Sequence, residues 1–251
     1  MKFRKLKLGE ILTESWAFYR ANFGKLTVYA AILFLGMSLS NLNTYLNATM
    51  FYETAVWRVF SSLIILVVMW IVIAPKFFMA IYIYINSLSD GEDISFKQAY
   101  RRTKGLYWWY VGTALILGLI ALPFVIILIL IFGLPGSAIN NPAFFMLPAM
   151  AIFTAVFYLV FPSVALSDVG DGLIRKSLRL VRGNILRILA LVLLTSTIIA
   201  LPYNILFNQF VDSPLTQLKF ATGLALVNIF VSTFADVVRI TVYRKLTMKI
   251  K

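Results

Sequence analysis

Three charged residues lie well inside long apolar stretches, away from the end where Arg58 or Lys219 stands, and a charge at such a position is energetically costly and therefore informative. Lys76 lies in one such stretch, at about 55–84. Asp236 and Arg239 lie in another, at about 218–242. Because Asp236 and Arg239 are three residues apart, they share one helix face and can form an ion pair. Lys76 would join this intramembrane polar cluster if the two stretches pack together. Such charges mark a polar pathway or proton relay, or they belong to side chains that reach a nearby interface.

Basic residues gather in two patches that could hold an anionic headgroup. Arginine forks onto phosphate oxygens, and aromatic residues such as Trp108 and Trp109 favour the headgroup level of a membrane. The patches therefore predict contact with anionic lipid, and the alternative is that they only mark one side of a membrane. The residues concerned are Arg101, Arg102, Lys104, Arg175, Lys176, Arg179, Arg182 and Arg187.

The chain lacks two of the residue types that most often act in catalysis. The chain has no His and no Cys, so the commonest general base, the thiol nucleophile and most transition-metal ligands are missing. No phosphate-binding loop of the type G-x-x-x-x-G-K-[ST] occurs. We therefore expect no catalytic residues, no metal, no cofactor and no enzymatic activity.

The elements that must position these residues are apolar helices. Hydrophobic residues make up 61% of the 251 residues, above the roughly 45–50% of soluble domains. The pattern predicts a single all-α domain, 1–251, that is polytopic in a membrane. A short amphipathic helix lies at the interface before the first, third and fifth spans, beginning near residues 8, 95 and 173. The six predicted spans are about 26–42, 55–84, 107–132, 145–165, 184–206 and 218–242.

The charges are segregated along this arrangement. Of the 23 Lys and Arg residues, all but Arg58 and Lys219 fall on the side that holds both termini and the connections 86–106 and 167–187. The positive-inside rule then places both termini in the cytoplasm. We therefore attribute the net charge of +13 to the orientation of the chain in the membrane and to contact with anionic lipid on the cytoplasmic side. No nucleic acid is expected as a partner.

A weak internal repeat accompanies the interface helices. Its first and third copies share the spacing S-x4-R-x-N-x2-[KR], whereas the middle copy has Ala99 and Leu106 at the Ser and Asn positions. Either a duplication or convergence among interface helices explains the match. A duplication would give three parallel hairpin units, 8–85, 95–166 and 173–243. The motif residues are Ser15, Arg20, Asn22, Ser177, Arg182 and Asn184.

The stretches PSVALSDVGDGLIRKSLRLVRGNILRILALVLL and GEILTESWAFYRANFGKL, with Leu134-Pro135-Gly136, carry a family resemblance. The chain resembles the YciC-like inner-membrane proteins and the "glycerophosphoryl diester phosphodiesterase membrane domain" of bacteria. The resemblance implies a bacterial cytoplasmic membrane and six spans. It supplies no catalytic residues, because the phosphodiesterase of fused members is a separate soluble domain.

We expect a non-catalytic membrane component that binds, accommodates or helps to export an amphiphile, such as a lipid, a peptide or a toxin. Such a protein would act as the partner of an ABC-type, ATP-driven transporter, as an immunity factor or as a homo-oligomer. The alternatives are a structural or regulatory membrane scaffold and, third, a lipid-headgroup enzyme.

Overall fold

The computed structural model describes residues 5–32, 38, 73–132, 151–166, 172–195 and 214–247. These residues form helices joined by turns and no strand, so the described chain is all-α, as predicted. The Leu134-Pro135-Gly136 step, the segment 167–171 and parts of the predicted spans one, two, four and five lie outside the described residues.

The helices follow the predicted order. Each predicted interface helix is present as a short helix (α1, α4 and α7) that leads into an apolar one. Residues 157–159 form a turn within α6. The bounds are α1 Leu8–Ala21, α2 Phe23–Ile32, α3 Ala74–Ser89, α4 Phe96–Arg102, α5 Tyr107–Phe132, α6 Ala151–Leu166, α7 Leu173–Val181, α8 Ile185–Thr195 and α9 Pro214–Thr247.

Membrane-spanning capacity can be judged from helix length and apolar character. Within the described ranges, no helix taken alone is long and apolar enough to cross a membrane. Phe96–Arg102 and Tyr107–Pro123 pass that test as a pair, with a bend of 74° between them. The six-span arrangement therefore stays a prediction.

Helices α3, α6 and α9 pack against one another and form the centre of the bundle. Every side chain of α3 from Met79 to Ile85 is buried, as expected of a helix that is apolar all round. Helix α1 lies on α9, α4 on α3, and α7 on α6. Helix α5 contacts α3 and α6 but leaves much of its surface exposed. The core thus converges on α9, which carries both Asp236 and Arg239.

The three junctions, α1–α2, α4–α5 and α7–α8, place equivalent residues in equivalent surroundings. Ser15, Ala99 and Ser177 occupy the same motif position, and all three are fully buried. Four residues further on, Tyr19, Thr103 and Val181 are also buried. The carbonyl oxygens of Asn22, Leu106 and Asn184 each accept a hydrogen bond from the backbone N–H four residues later, at 3.0, 2.9 and 2.9 Å.

The turn itself is shared by the second and third junctions. Gly105 and Gly183 have φ values of +91° and +89°, a region that residues with a Cβ rarely occupy. In the first junction Ala21 stands at this position and the backbone stays helical. The middle copy, which departs most from the sequence motif, therefore has the same turn as the third.

The sequence predicts one apolar stripe at helical spacing along the third interface helix, and the turn divides it. The stripe is formed by Ile174, Leu178, Val181, Ile185 and Ile188. Val181 and Ile188 are buried as expected, whereas Leu178 and Ile185 are exposed. The helix ends at Val181, because Gly183 turns the chain, so the stripe does not run along one continuous helix face.

Candidate functional site

The centre of the bundle holds the buried carboxylate of Asp236. Its Oδ2 accepts a hydrogen bond from the Tyr29 hydroxyl of α2 at 2.8 Å. Its Oδ1 accepts one from Arg239 Nη1 at 3.0 Å, so the ion pair expected from the three-residue spacing is present. The carboxylate is therefore paired and hydrogen-bonded, which a buried charge requires.

Tyrosines enclose the guanidinium of Arg239. Its Nη1 donates to the Tyr82 hydroxyl of α3 at 2.6 Å. The group also lies over the ring of Tyr158 in α6, 5.1 Å from its centroid, and over that of Tyr82 at 5.9 Å. The Nε atom is buried and has no hydrogen-bond partner within the described residues. We call Tyr29, Tyr82, Tyr158, Asp236 and Arg239 the central cluster; it joins four helices.

Lys76 is not part of the central cluster. Its ammonium group lies over the ring of Tyr107, 5.5 Å from the centroid, in a cation–π arrangement. Helices α3 and α9 do pack together, but Lys76 is near the start of α3 and Tyr82 faces Arg239 instead. The structure thus brings together two of the three charges that the sequence grouped.

The basic segments of the chain meet at one end of the bundle. Arg244 of α9 binds Asp90 of the 86–106 connection at 2.7 Å. Lys245 binds Glu14 of α1 at 2.6 Å. Lys25 pairs with Asp93, and this hydrogen bond raises the pKa of the Lys25 ammonium.

The third junction reaches the same end. The backbone N–H of Leu6 donates to Asn184 Oδ1 at 2.9 Å. The amino-terminal segment, both cytoplasmic connections of the predicted topology and the end of α9 therefore lie together. We call this surface the basic rim.

The predicted headgroup residues divide into two groups at the basic rim. Arg102 is tied to Glu92 at 3.2 Å and to the Ser87 hydroxyl at 3.3 Å, and Arg187 donates to Asn184 Oδ1 at 3.3 Å. The remaining predicted residues are exposed and have no ion pair within the described part of the chain: Arg101, Lys104, Arg175, Lys176, Arg179 and Arg182.

The motif residues of the repeat have different surroundings. Asn184 holds the amino-terminal segment, whereas Asn22 donates only to the Phe18 carbonyl, at 3.0 Å, and closes the end of its own helix. Arg20 is exposed. The buried hydroxyls of Ser15 and Ser177 have no hydrogen-bond partner within the described residues.

A polar cleft of about 290 Å³ opens at the basic rim between α3, α4 and α6. Asn86, Asp90, Glu92 and Arg102 supply its polar wall, and Leu166 belongs to its apolar side. Both acidic residues are already paired with arginine, so the cleft offers balanced charge. No three carboxylates in the described ranges converge to form a cation site.

The tyrosines of the central cluster were missed from the sequence. Tyr29, Tyr82 and Tyr158 lie in apolar stretches where tyrosine is also a common packing residue. A buried ion pair needs hydrogen-bond partners in addition to its own two charges, and that requirement is the one signal that could have indicated them.

The chain was compared with family models, with curated proteins and with solved structures, and no match was found in any of the three.

Proposed function

We propose that this chain is a multi-pass protein of the bacterial cytoplasmic membrane, with six spans and both termini in the cytoplasm. It binds an amphiphile that has an anionic head, as a non-catalytic component of export or immunity. An ABC-type transporter subunit or a second copy of the chain is the partner that fits such a role. The proposed family is that of the YciC-like inner-membrane proteins.

The observation that carries this proposal is the basic rim. Arg244–Asp90, Lys245–Glu14 and Leu6–Asn184 join segments that are far apart in sequence at one end of the bundle. These are the segments that the positive-inside rule assigns to the cytoplasm. Charge segregation along the chain and contacts in space thus group the same segments, and this grouping supports the proposed topology.

The surface of α5 supports an apolar surrounding. Trp108, Leu115, Leu119 and Leu122 are 75%, 65%, 69% and 54% exposed. A helix that is apolar all round and is not buried by the described part of its chain needs another apolar surrounding. A bilayer supplies that surrounding, and α2, α8 and α9 also carry exposed apolar residues.

Because the chain has no cysteine, each introduced thiol is the single labelling site in a topology test. Lys5→Cys, Lys97→Cys and Lys219→Cys each place one thiol at an exposed position. In intact cells, a membrane-impermeant maleimide should label Lys219→Cys only. Permeabilised cells should give label at all three. The cysteine-free parent is the control, and carbonate extraction should leave every variant in the membrane pellet.

Equal labelling of Lys97→Cys and Lys219→Cys in intact cells, or release of the protein by carbonate, would contradict the proposal. If the topology holds, pull-down from mild detergent then asks whether an ATP-hydrolysing subunit accompanies the chain.

A membrane scaffold without a ligand is the second candidate. It is favoured by the central cluster, because five side chains from four helices fill the middle of the bundle and link it by hydrogen bonds. The two candidates differ in retained ligand: a scaffold would release no specific amphiphile when extracted under mild conditions.

A further inference from the structure

The three junctions repeat an exposed face as well as a buried one. The residue after the buried Ser15, Ala99 or Ser177 is a large apolar side chain in each case. Trp16, Tyr100 and Leu178 are 55%, 43% and 38% exposed. Each of these residues directly follows the core-facing position and lies about 100° from it round the helix, so it lies beside the buried face and not opposite to it.

A cation stands four residues further along each exposed face. Arg20, Lys104 and Arg182 occupy this position and are all exposed. None of the three forms an ion pair within the described part of the chain. Other cations of the basic rim behave differently: Lys25 and Arg244 are each tied to a carboxylate. The repeat position thus keeps its positive charge unneutralised in all three copies.

A second apolar side chain follows three residues after each cation. Phe23 and Ile185 are 43% and 42% exposed, and Tyr107 is half-buried. Each junction therefore presents residues in the chain order apolar, cation, apolar, and at the second and third junctions a glycine turn lies between the cation and the apolar residue that follows it. The three sets are Trp16–Arg20–Phe23, Tyr100–Lys104–Tyr107 and Leu178–Arg182–Ile185, and we call them the three outward stripes.

We infer that the three outward stripes are equivalent binding sites, each for the phosphate of one anionic phospholipid. The cation meets the phosphate, and the flanking apolar side chains enter the upper acyl-chain region. A soluble anion would use the cation but would not cover the exposed parts of the apolar side chains beside it. This inference rests on the membrane location proposed above and names the headgroup chemistry that the protein selects.

The arginine and lysine positions should bind the same class of lipid but with different affinity. Arg20 and Arg182 can fork onto two phosphate oxygens, whereas Lys104 offers a single point charge. Tyr100 and Tyr107 also flank Lys104 with hydroxyl groups that suit the wet side of an interface. We therefore expect all three stripes to retain an anionic lipid, with the middle one releasing it most readily.

The test uses the full chain in nanodiscs of phosphatidylglycerol and phosphatidylcholine in equal amounts, analysed by native mass spectrometry. The wild type should retain up to three phosphatidylglycerol molecules. Arg20→Gln, Lys104→Gln and Arg182→Gln should each reduce the affinity of one site for phosphatidylglycerol about fivefold, which lowers the mean number of retained molecules. The triple variant should retain no more phosphatidylglycerol than phosphatidylcholine, and Lys104→Arg should restore retention at the middle stripe.

The matched control is the triple variant Lys5→Gln, Lys97→Gln, Lys219→Gln, which removes the same charge from exposed positions outside the stripes. It should keep all three lipids. Equal loss from both triple variants would overturn the inference, because retention would then follow net charge alone. Retention of phosphatidylcholine in equal number by the wild type would also overturn it.

Unchanged retention by a stripe variant that keeps its helical circular dichroism spectrum would point instead to a protein partner for this surface. A wild-type chain that does not enter nanodiscs would refute the proposed membrane location itself, which separates the two failures.

Discussion

The Tyr29 hydroxyl and the Asp236 carboxylate are 207 residues apart in the chain and 2.8 Å apart in space. The bond ties the end of the first junction to the last helix at the buried centre of the bundle. Hydrogen bonds to charged groups contribute more than neutral ones, about 1.5–3 kcal/mol each. This single contact is therefore a sensitive reporter of whether α2 and α9 pack as described.

Tyr29→Phe should lower the free energy of unfolding by about 1.5–3 kcal/mol, because it removes the donor but preserves the ring that stacks on Phe77. Tyr100→Phe, on the exposed face of α4, should change stability by less than about 0.5 kcal/mol. Unfolding in detergent, followed by tryptophan fluorescence, measures both. Equal effects of the two substitutions would mean that the buried bond is not formed.

Asp236→Ala should destabilise the protein by about 3–5 kcal/mol, because it leaves the Arg239 guanidinium uncompensated in the core. Asp236→Leu combined with Arg239→Met should recover much of that loss, since no unpaired charge remains. The double-mutant cycle therefore yields a large coupling energy between the two positions.

Lys76→Leu serves as the control for this cycle, because Lys76 lies over Tyr107 and makes no contact with the pair. Strictly additive effects of Asp236→Leu and Arg239→Met, or strong coupling of either one to Lys76→Leu, would refute the described arrangement. A proton relay through Lys76 and Asp236 would likewise require Lys76→Leu and Asp236→Asn to abolish the same activity.

Ser15→Ala and Ser177→Ala should each stabilise the chain, by about 1 kcal/mol. Both hydroxyls are buried without a hydrogen-bond partner within the described residues, and the middle junction already has Ala99 at this position. Thermal unfolding of the single variants and of the pair measures the gain. A loss of stability comparable to that of Tyr29→Phe would show that the hydroxyls are satisfied in the native protein.

Asn184→Ala should release the amino-terminal segment, since the backbone N–H of Leu6 loses its acceptor. A buried donor without a partner costs about 1–3 kcal/mol, and the segment can avoid that cost by detaching. Limited proteolysis should then cut near residues 5–7 at least several times faster. Asn22→Ala, which removes only a helix-end contact, should leave this rate unchanged; faster cutting in both variants would contradict the assignment.

Gly105→Ala should cost about 1–2 kcal/mol, because Gly105 has a φ of +91°. Gly112→Ala is the matched control: a Cβ at either position meets no atom within 4 Å, but Gly112 has no positive φ. The control should be neutral or slightly stabilising, since alanine favours a helix over glycine. The difference between the two variants in thermal unfolding gives the cost of a side chain at positive φ. Equal changes in melting temperature would exclude the left-handed turn at Gly105.

Much of this architecture could be predicted from the sequence because its signals are local. Apolar periodicity located the short helices that precede α2, α5 and α8, and the three-residue spacing of Asp236 and Arg239 was sufficient to predict their ion pair. Charge segregation indicated which connections share one end. It could not predict an individual ion pair such as Arg244–Asp90.

The partners of the central cluster could not be predicted in this way. Tyr29 and Tyr82 reach Asp236 and Arg239 only because α2, α3 and α9 pack together, and no spacing within one helix encodes that contact. Lys76 illustrates the converse: its helix does pack on α9, but the ammonium group faces Tyr107. The middle junction shows the same limit. Its side chains depart from the motif at Ala99 and Leu106, but it shares a glycine turn with the third junction.

The clasp between Lys245 of α9 and the α1 residues Glu10 and Glu14 brings the beginning and the end of the described chain side by side, at 3.9 and 2.6 Å. Neighbouring ends are the geometric requirement for circular permutation. A short flexible peptide could therefore join the segment before α1 to the segment after α9, and the described helices would keep their present contacts.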